Sequence, residues 1–256
     1  VDDLASTMAA AIVTKKHALR LAHLVAGTRS FDINMPKEIN RLVIDGLSDL
    51  LFTAGTGMGT TADQSKIYVV GNILMDSLRN NLPRFRRPQL LEGFTDGNYA
   101  VMTVNRKALL ADTDNLRQML LVVSAQLEYM PVFLPLRQEA ADAVRPLIEG
   151  LENMHLVSPL SYLEFGYLTA HASVVITDSG NVAEEATFNG VPCVTLNNYT
   201  EHIETVKEGT NTLVNEDPAL LAQTLYDISE GEPKAYAVPD RWDGRTADRI
   251  LQALMG

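Results

Sequence analysis

The sequence predicts an α/β fold of doubly wound parallel sheets in two domains, and three observations carry the prediction. From residue 99 onward, short apolar runs alternate with helical patterns at regular spacing, giving six strands with crossover helices between them. Upstream, Pro83 to Pro88 sets two prolines around Arg84, Arg86 and Arg87, which resists helix and sheet alike and marks a hinge. Third, Val174 to Thr177 reads as a buried strand that runs straight into Asp178, Ser179, Gly180 and Asn181, the residue types that stop a strand and start a helix. The expected domains are 1–82, a linker at 83–95, a second domain at 96–240 and a terminal helix at 241–256.

In chain order, Leu4 to Leu19 carries alanines and apolar residues at helical spacing, and Leu21 to Val25 reads as a strand ending at Gly27. Pro36 then opens a helix with an apolar stripe of Ile39, Leu42, Val43 and Leu47, since its fixed φ suits the first helical position. Leu50 to Thr53 and Ile67 to Val70 are short strands, and Ile73 to Leu82 a helix. AGTGMGTTAD at 54–63 holds three glycines and is expected to be a loop.

In the second half, strands are expected near 99–104, 131–136, 154–157, 173–177, 192–196 and 211–214, with helices near 113–128, 138–150, 161–171, 182–189 and 217–229. Ligands on such sheets bind beyond the strand C-termini, where Asn105, Arg137, Ser179 and Asn197 fall. The final helix, Thr246 to Met255, is apolar at Ile250, Leu251 and Leu254 and is free to pack on either domain.

Composition narrows the function classes. A chain of 256 residues, 46% hydrophobic, buries one large core or two smaller ones. A net charge of −11 disfavours nucleic acid and acidic membrane surfaces as partners. The one cysteine, Cys193, cannot form an internal disulfide, which fits a reducing cytoplasm. No apolar run approaches membrane-spanning length, no basic stretch followed by an apolar one opens the sequence, and the opening Val1 suggests a truncated or processed chain.

The turn after Thr177 has the makings of an anion site. Uncapped N–H groups and the positive end of the helix dipole point into it, and Gly180 admits close approach of a pyrophosphate. Ser179 and Gly180 are therefore phosphate candidates, and Glu185 could accept hydrogen bonds from ribose hydroxyls. Val182 to Thr187 read as the helix, with Asn181 and Glu184 spaced for a capping box, and the plainer alternative is that Asp178 and Ser179 only cap it. His23 reads as a structural, half-buried histidine. His17, His155 and His171 lack ligand spacing, so no metal is expected.

ITDSGNVAEEATFNGVPCVTL followed by TEHIETVKEGTNTLV closely resembles the C-terminal domain of the bacterial non-hydrolysing UDP-N-acetylglucosamine 2-epimerases. DDLASTMAAA, AHLVAGTRSFD, MPKEINRLVIDGLSDLLF and VGNILMDSL resemble the N-terminal domain of that family, and YAVMTVNR and PLSYLEF its C-terminal one. The likeness covers nearly the whole chain, lacking the family's opening strands and their glycine-containing nucleotide loop. It implies a GT-B-like pair of Rossmann-like domains, the N-terminal one incomplete, with UDP or a UDP-N-acetylhexosamine as ligand and no cofactor. The family inverts C2 by eliminating UDP and adding it back, chemistry that needs placed acids and bases.

Carried over residue by residue, the resemblance retains one acid/base position, Asp3, and loses three. Val25 stands for the glutamate of HVEAG, Lys37 for the first glutamate of PEE, and Asn105 for the histidine of T-x-HR. Glu38 is out of helical register to replace it, and Lys37 would need burial to become a base. On the nucleotide side Phe165, Ser179, Gly180 and Glu185 match, Asn181 replaces a glycine, His202 replaces a diphosphate-binding arginine, and Arg137 could restore some charge. Arg29, Asn40 and Arg41 match loop-holding positions, and Trp242 and Asp243 a packing segment.

Two functional expectations follow. One is a catalytically impaired epimerase homologue, a pseudoenzyme with residual nucleotide-sugar binding. The other is an active UDP-sugar enzyme, either an epimerase completed by a separate N-terminal segment or a GT-B glycosyltransferase. The resemblance also implies a homodimer, which the helices near 4–19 and 36–48 could support.

Overall fold

A computed structural model describes residues 3–55 and 63–255, so most of the glycine-rich stretch expected as a loop lies outside the described residues. The chain forms two compact units, the first comprising 1–80, 201–204 and 239–256, the second 81–200 and 205–238.

The first unit begins with α1 (Ala5–Lys16), β1 (Ala22–Leu24), α2 (Pro36–Leu47), β2 (Leu50–Thr53), β3 (Ile67–Val69) and α3 (Ile73–Asn81). Its three strands pair in parallel in the order β1-β2-β3. Pro36 occupies the start of α2 after an extended Met35, as its locked φ requires. Asp49 joins the end of α1 to the start of β1 by accepting from Lys15 Nζ at 2.8 Å and from the Leu21 N–H at 2.8 Å.

The second unit holds β4 (Ala100–Thr103), α4 (Lys107–Ala111), α5 (Thr113–Gln126), β5 (Val132–Pro135), α6 (Gln138–Val144), β6 (Met154–Val157), α7 (Tyr162–Ala170), β7 (Val174–Thr177), α8 (Gly180–Asn189) and β8 (Cys193–Thr195). After α9 (Ile203–Lys207) it closes with β9 (Asn211–Leu213) and α10 (Pro218–Ser229). All six strands are parallel, in the order β6-β5-β4-β7-β8-β9.

Alternation along the strands divides the core in two. Ala100 and Met102 of β4 face Leu116, Met119 and Leu120 of α5 and Leu221 of α10. Tyr99 and Val101 pack with Leu168 of α7 and Ala183 and Ala186 of α8. A sheet covered on both faces makes its central strands near-continuous apolar runs, as β4, β5 and β7 are, whereas the edge strands β6 and β9 carry His155 and Asn211.

The chain ends with α11 (Thr246–Met255), which belongs to the first unit. Ile250 joins Leu50, Phe52 and Val70 in a buried cluster, and Asp76 of α3 accepts from the N–H groups of Thr246 and Ala247 at 3.0 and 2.7 Å. A carboxylate supplied across the unit thus caps this helix and complements its dipole. Trp242 is buried just before it, its Nε1 donating to the Ala54 carbonyl at 3.2 Å.

Several expectations need correction. Residues 83–95 do not form a free linker: Leu91 is wholly buried in the second unit's core, and the Arg86 N–H donates to the Leu163 carbonyl. The helix expected over 138–150 stops at Val144, where Pro146 allows only a short 3₁₀ turn. α8 starts at Gly180 with Ser179 as its cap residue, so Asn181 and Glu184 form no capping box. A complete one stands instead on α7, between Ser161 and Glu164.

Candidate functional site

Strand order reverses between β4 and β7, and the second unit has a crevice at the C-terminal ends of this pair. Thr103 and Thr177, paired in register, share a hydrogen bond of 2.7 Å between hydroxyls. Beyond them, Asp178 Oδ2 accepts from the N–H groups of Asn105 and Arg106 at 2.6 and 2.7 Å, and Asn197 Nδ2 donates to the Asp178 carbonyl at 3.1 Å.

Asp178 is therefore not a cap. Its side chain stitches the exit of β4 to that of β7. Burial pushes its carboxyl up, against the lowering pull of those two N–H groups. Ser179 makes no side-chain capping bond either, and its own N–H donates to Thr177 Oγ1 at 3.0 Å.

The crevice has a volume of about 470 Å³. It brings together four residues predicted from sequence, Asn105, Arg137, Phe165 and Ser179. Pro159, Leu160 and Val182 supply apolar wall, and Thr103, Arg106 and Asp178 polar wall. Gly180 and Asn181 are the first residues of α8. Glu185 does not line the crevice; it is buried further along α8, where burial and then Glu184 push its carboxyl up to about 7.

Arg106 and Asp178 were missed as site residues, although Asp178 directly follows the strand end in VVITD and Arg106 lies three residues beyond that of β4 in YAVMTVNR. That position was the available signal.

The remaining predicted residues, Asp3, Val25, Lys37 and His202, lie in the first unit, where Asp3 and Lys37 join a partly buried charge network. Asp3 pairs with Arg41 at 2.6 Å and with Lys37 at 3.4 Å, and Arg41 pairs in turn with Glu201 at 2.7 Å. Asn40 Nδ2 donates to the Asp3 carbonyl at 2.8 Å. Burial raises the Asp3 carboxyl, but the Arg41 and Lys37 contacts outweigh it and hold it below the ordinary carboxylate range.

The Lys37 side chain is 57% exposed, so the burial a lysine base requires is missing. Glu38, which is buried, accepts from the N–H and hydroxyl of Ser30 at 2.8 and 2.9 Å and is not free to replace a lost carboxylate. Val25 sits in the turn after β1 at φ +62°, a left-handed conformation that is costly for a β-branched residue.

Next to it His23 is buried with Nδ1 2.5 Å from Asp45 Oδ1, and Asp45 also takes Arg29 Nη2 at 2.6 Å. His202 belongs to the first unit's 201–204 segment and does not line the crevice. Among the described residues no group of His, Cys, Asp or Glu is placed to hold a metal ion, and no helix is long and apolar enough to cross a membrane.

Residues 2–255 match the family model described as UDP-N-acetylglucosamine 2-epimerase. A UDP-N-acetylglucosamine 2-epimerase homolog of Methanococcus maripaludis is 34% identical over 98% of this chain and 73% of its own length. A UDP-2,3-diacetamido-2,3-dideoxy-D-glucuronate 2-epimerase of Pseudomonas aeruginosa is 35% identical over 83% of this chain and 61% of its own. Among solved structures, the Methanocaldococcus jannaschii UDP-GlcNAc 2-epimerase in complex with UDP-GlcNAc and UDP superposes with a TM-score of 0.78. It is 29% identical, over 96% of this chain and 72% of that one. The α/β, GT-B-like class expected from the sequence is the fold observed.

Proposed function

The chain belongs to the UDP-N-acetylglucosamine 2-epimerase family, and from that premise we propose that it binds UDP or a UDP-N-acetylhexosamine at the second unit's crevice with little or no epimerisation at C2. The observation that carries the binding half is the gathering of Ser179, at the mouth of α8, with Phe165, Asn105 and Arg137 around one cavity. A helix N-terminus with free donors suits a diphosphate, and an aromatic face suits a base. The resemblance also matches Glu185 to a ribose position and His202 to a diphosphate-binding arginine, but neither lines the crevice, and the binding half does not rest on them.

The catalytic half rests on chemistry. Val25 has no proton to exchange, Asn105 is an amide, and Lys37 is an exposed ammonium paired with Asp3. A weakly acidic C2–H needs a base on each face of the sugar, and only Asp3 remains of the family's four positions.

The test is incubation with UDP-N-acetylglucosamine in deuterated water, following C2–H by NMR, beside thermal shifts with UDP. Stabilisation without exchange is the expected result; deuterium incorporation or mannose-configured product would overturn it.

Exposed Ile12 and Val13 on α1 and Ile39 and Leu42 on α2 support a homodimer as part of the proposal. The free, buried Cys193 supports a reducing cytoplasmic setting.

A further inference from the structure

Two cations line the crevice, and the structure treats them differently. Arg137 is exposed at the residue that precedes α6, makes no capping bond there, and keeps its rotamer freedom. Arg106 is fixed at both ends. Its main-chain N–H is held by Asp178 Oδ2 at 2.7 Å, and its guanidinium lies over the Tyr199 ring, 4.7 Å from the centroid, with Nη2 donating to the Tyr199 hydroxyl at 2.5 Å. Nη1 and Nε are not used in that bond, so the planar fork keeps donors for a second partner.

A side chain already immobilised over an aromatic face pays less ordering entropy on binding than an unrestrained one. Among the described residues that line the crevice the only carboxylate is Asp178; its Oδ2 is occupied by two N–H groups, and the Arg106 charge attracts it without a hydrogen bond to the buried Oδ1. Arg106 therefore has a charge to offer and a defined direction in which to offer it.

We propose that Arg106, held by Tyr199, is the residue that pairs with the diphosphate of the ligand in this chain. The inference rests on the nucleotide-sugar reading and adds to it a specificity-determining arginine and a positioning tyrosine. Tyr199 acts through Arg106: its ring and hydroxyl hold the guanidinium at the cavity wall.

The experiment is calorimetric titration of the full chain with UDP, UMP and uridine at low and moderate salt. The unaltered chain should bind UDP more tightly than uridine, with a salt dependence that uridine lacks. Arg106→Met should weaken UDP binding by about 10- to 100-fold and leave uridine unchanged, because a charge-assisted contact is removed and the base contacts are not. Arg137→Met should cost UDP binding less than Arg106→Met does.

Tyr199→Phe, which keeps the ring and removes only the hydroxyl, should weaken UDP several-fold and spare uridine; it tests the same idea should Arg106→Met fold poorly. UDP affinity that is equal in the Arg106→Met and unaltered chains would overturn the inference while leaving the nucleotide-sugar reading intact. Failure of the unaltered chain to bind UDP would overturn both.

Discussion

Asp45→Asn tests how the first unit holds its buried charge. Asp45 is 4% exposed and serves three groups: His23 Nδ1 at 2.5 Å, Arg29 Nη2 at 2.6 Å and the Gly27 N–H at 3.0 Å. An amide at this position still accepts from Gly27, so that hydrogen bond survives. What goes is the negative charge opposite Arg29, itself buried, whose other carboxylate partner, Glu38, is 3.9 Å away.

Breaking a buried pair on one side costs about 3–5 kcal/mol because the remaining charge has no compensation. Against a total of about 5–15 kcal/mol this is enough to unfold the first unit selectively. Urea unfolding at pH 7, read by hydrogen exchange in residues 3–55 and separately in the six-stranded sheet, measures it.

The double variant Asp45→Asn with Arg29→Met should lose clearly less than the sum of the two single losses, since it removes the orphaned charge. Acid behaviour supplies the sign. Burial opposes ionisation of Asp45, but the His23 and Arg29 bonds outweigh it and hold the carboxyl below its unfolded value. Its contribution is thus complete above the ordinary carboxylate range and is lost as pH falls through the lower, folded value, a loss Asp45→Asn should not show. A loss under about 1 kcal/mol, or strictly additive costs in the double variant, would refute the reasoning.

Three further outcomes are expected. Val25→Asn should stabilise by about 1 kcal/mol and raise Tm by a few degrees, since asparagine tolerates the left-handed φ of +62° that valine resists; an unchanged or lower Tm counts against strain at this turn. Glu185→Gln should stabilise the second unit at pH 8 by roughly 2 kcal/mol and by little at pH 4. A carboxyl raised to about 7 by burial and Glu184 loses stability as pH climbs from its unfolded to its folded value, and urea midpoints at the two pH values check it. Ser161→Ala should cost about 1 kcal/mol by removing the hydroxyl that accepts from the Glu164 N–H, while the main-chain arm of the α7 capping box, donating to the Glu164 carboxylate, survives; the same unfolding curves measure it.

The fold was legible because its causes are local. Pro36, the β-branched runs at Val174 to Thr177 and the apolar run at Cys193 each announce their element within a few residues, and all have their counterparts in the structure. What was not legible depends on partners far along the chain. Residues 83–95 look like a linker because nothing in PRFRRP says that Arg87 will meet Asp96 and the Tyr167 hydroxyl, or that Leu91 will be buried beside Tyr99.

The start of α8 was misjudged for a related reason. Asp178 reads as a helix cap until its carboxylate is seen to be claimed by Asn105 and Arg106, 73 and 72 residues earlier. The crevice divided along the same line: residues ending strands were found, and Arg106 was passed over because its role needs Tyr199, 93 residues on.

Asp3, which the resemblance matches to an acid/base position of the family, shows why residue identity alone is a poor measure of chemistry. Arg41 reaches Asp3 Oδ2 with Nε at 3.0 Å and Nη2 at 2.6 Å, and Lys37 Nζ lies 3.4 Å from Oδ1. Both oxygens therefore face cations. Such a carboxyl is ionised at neutral pH and has no proton to give, which removes it as a general acid. As a base it is weakened by the same contacts, since basicity falls with the pKa and the C2–H it would attack is itself a poor acid. Lys37 stands where the family has a glutamate, and that exchange alters two groups at once: it deletes one carboxylate and adds a cation that quietens another. The single substitution Lys37→Glu would return a negative charge beside Asp3 and raise its pKa, so the two positions regain or lose basicity together rather than one at a time.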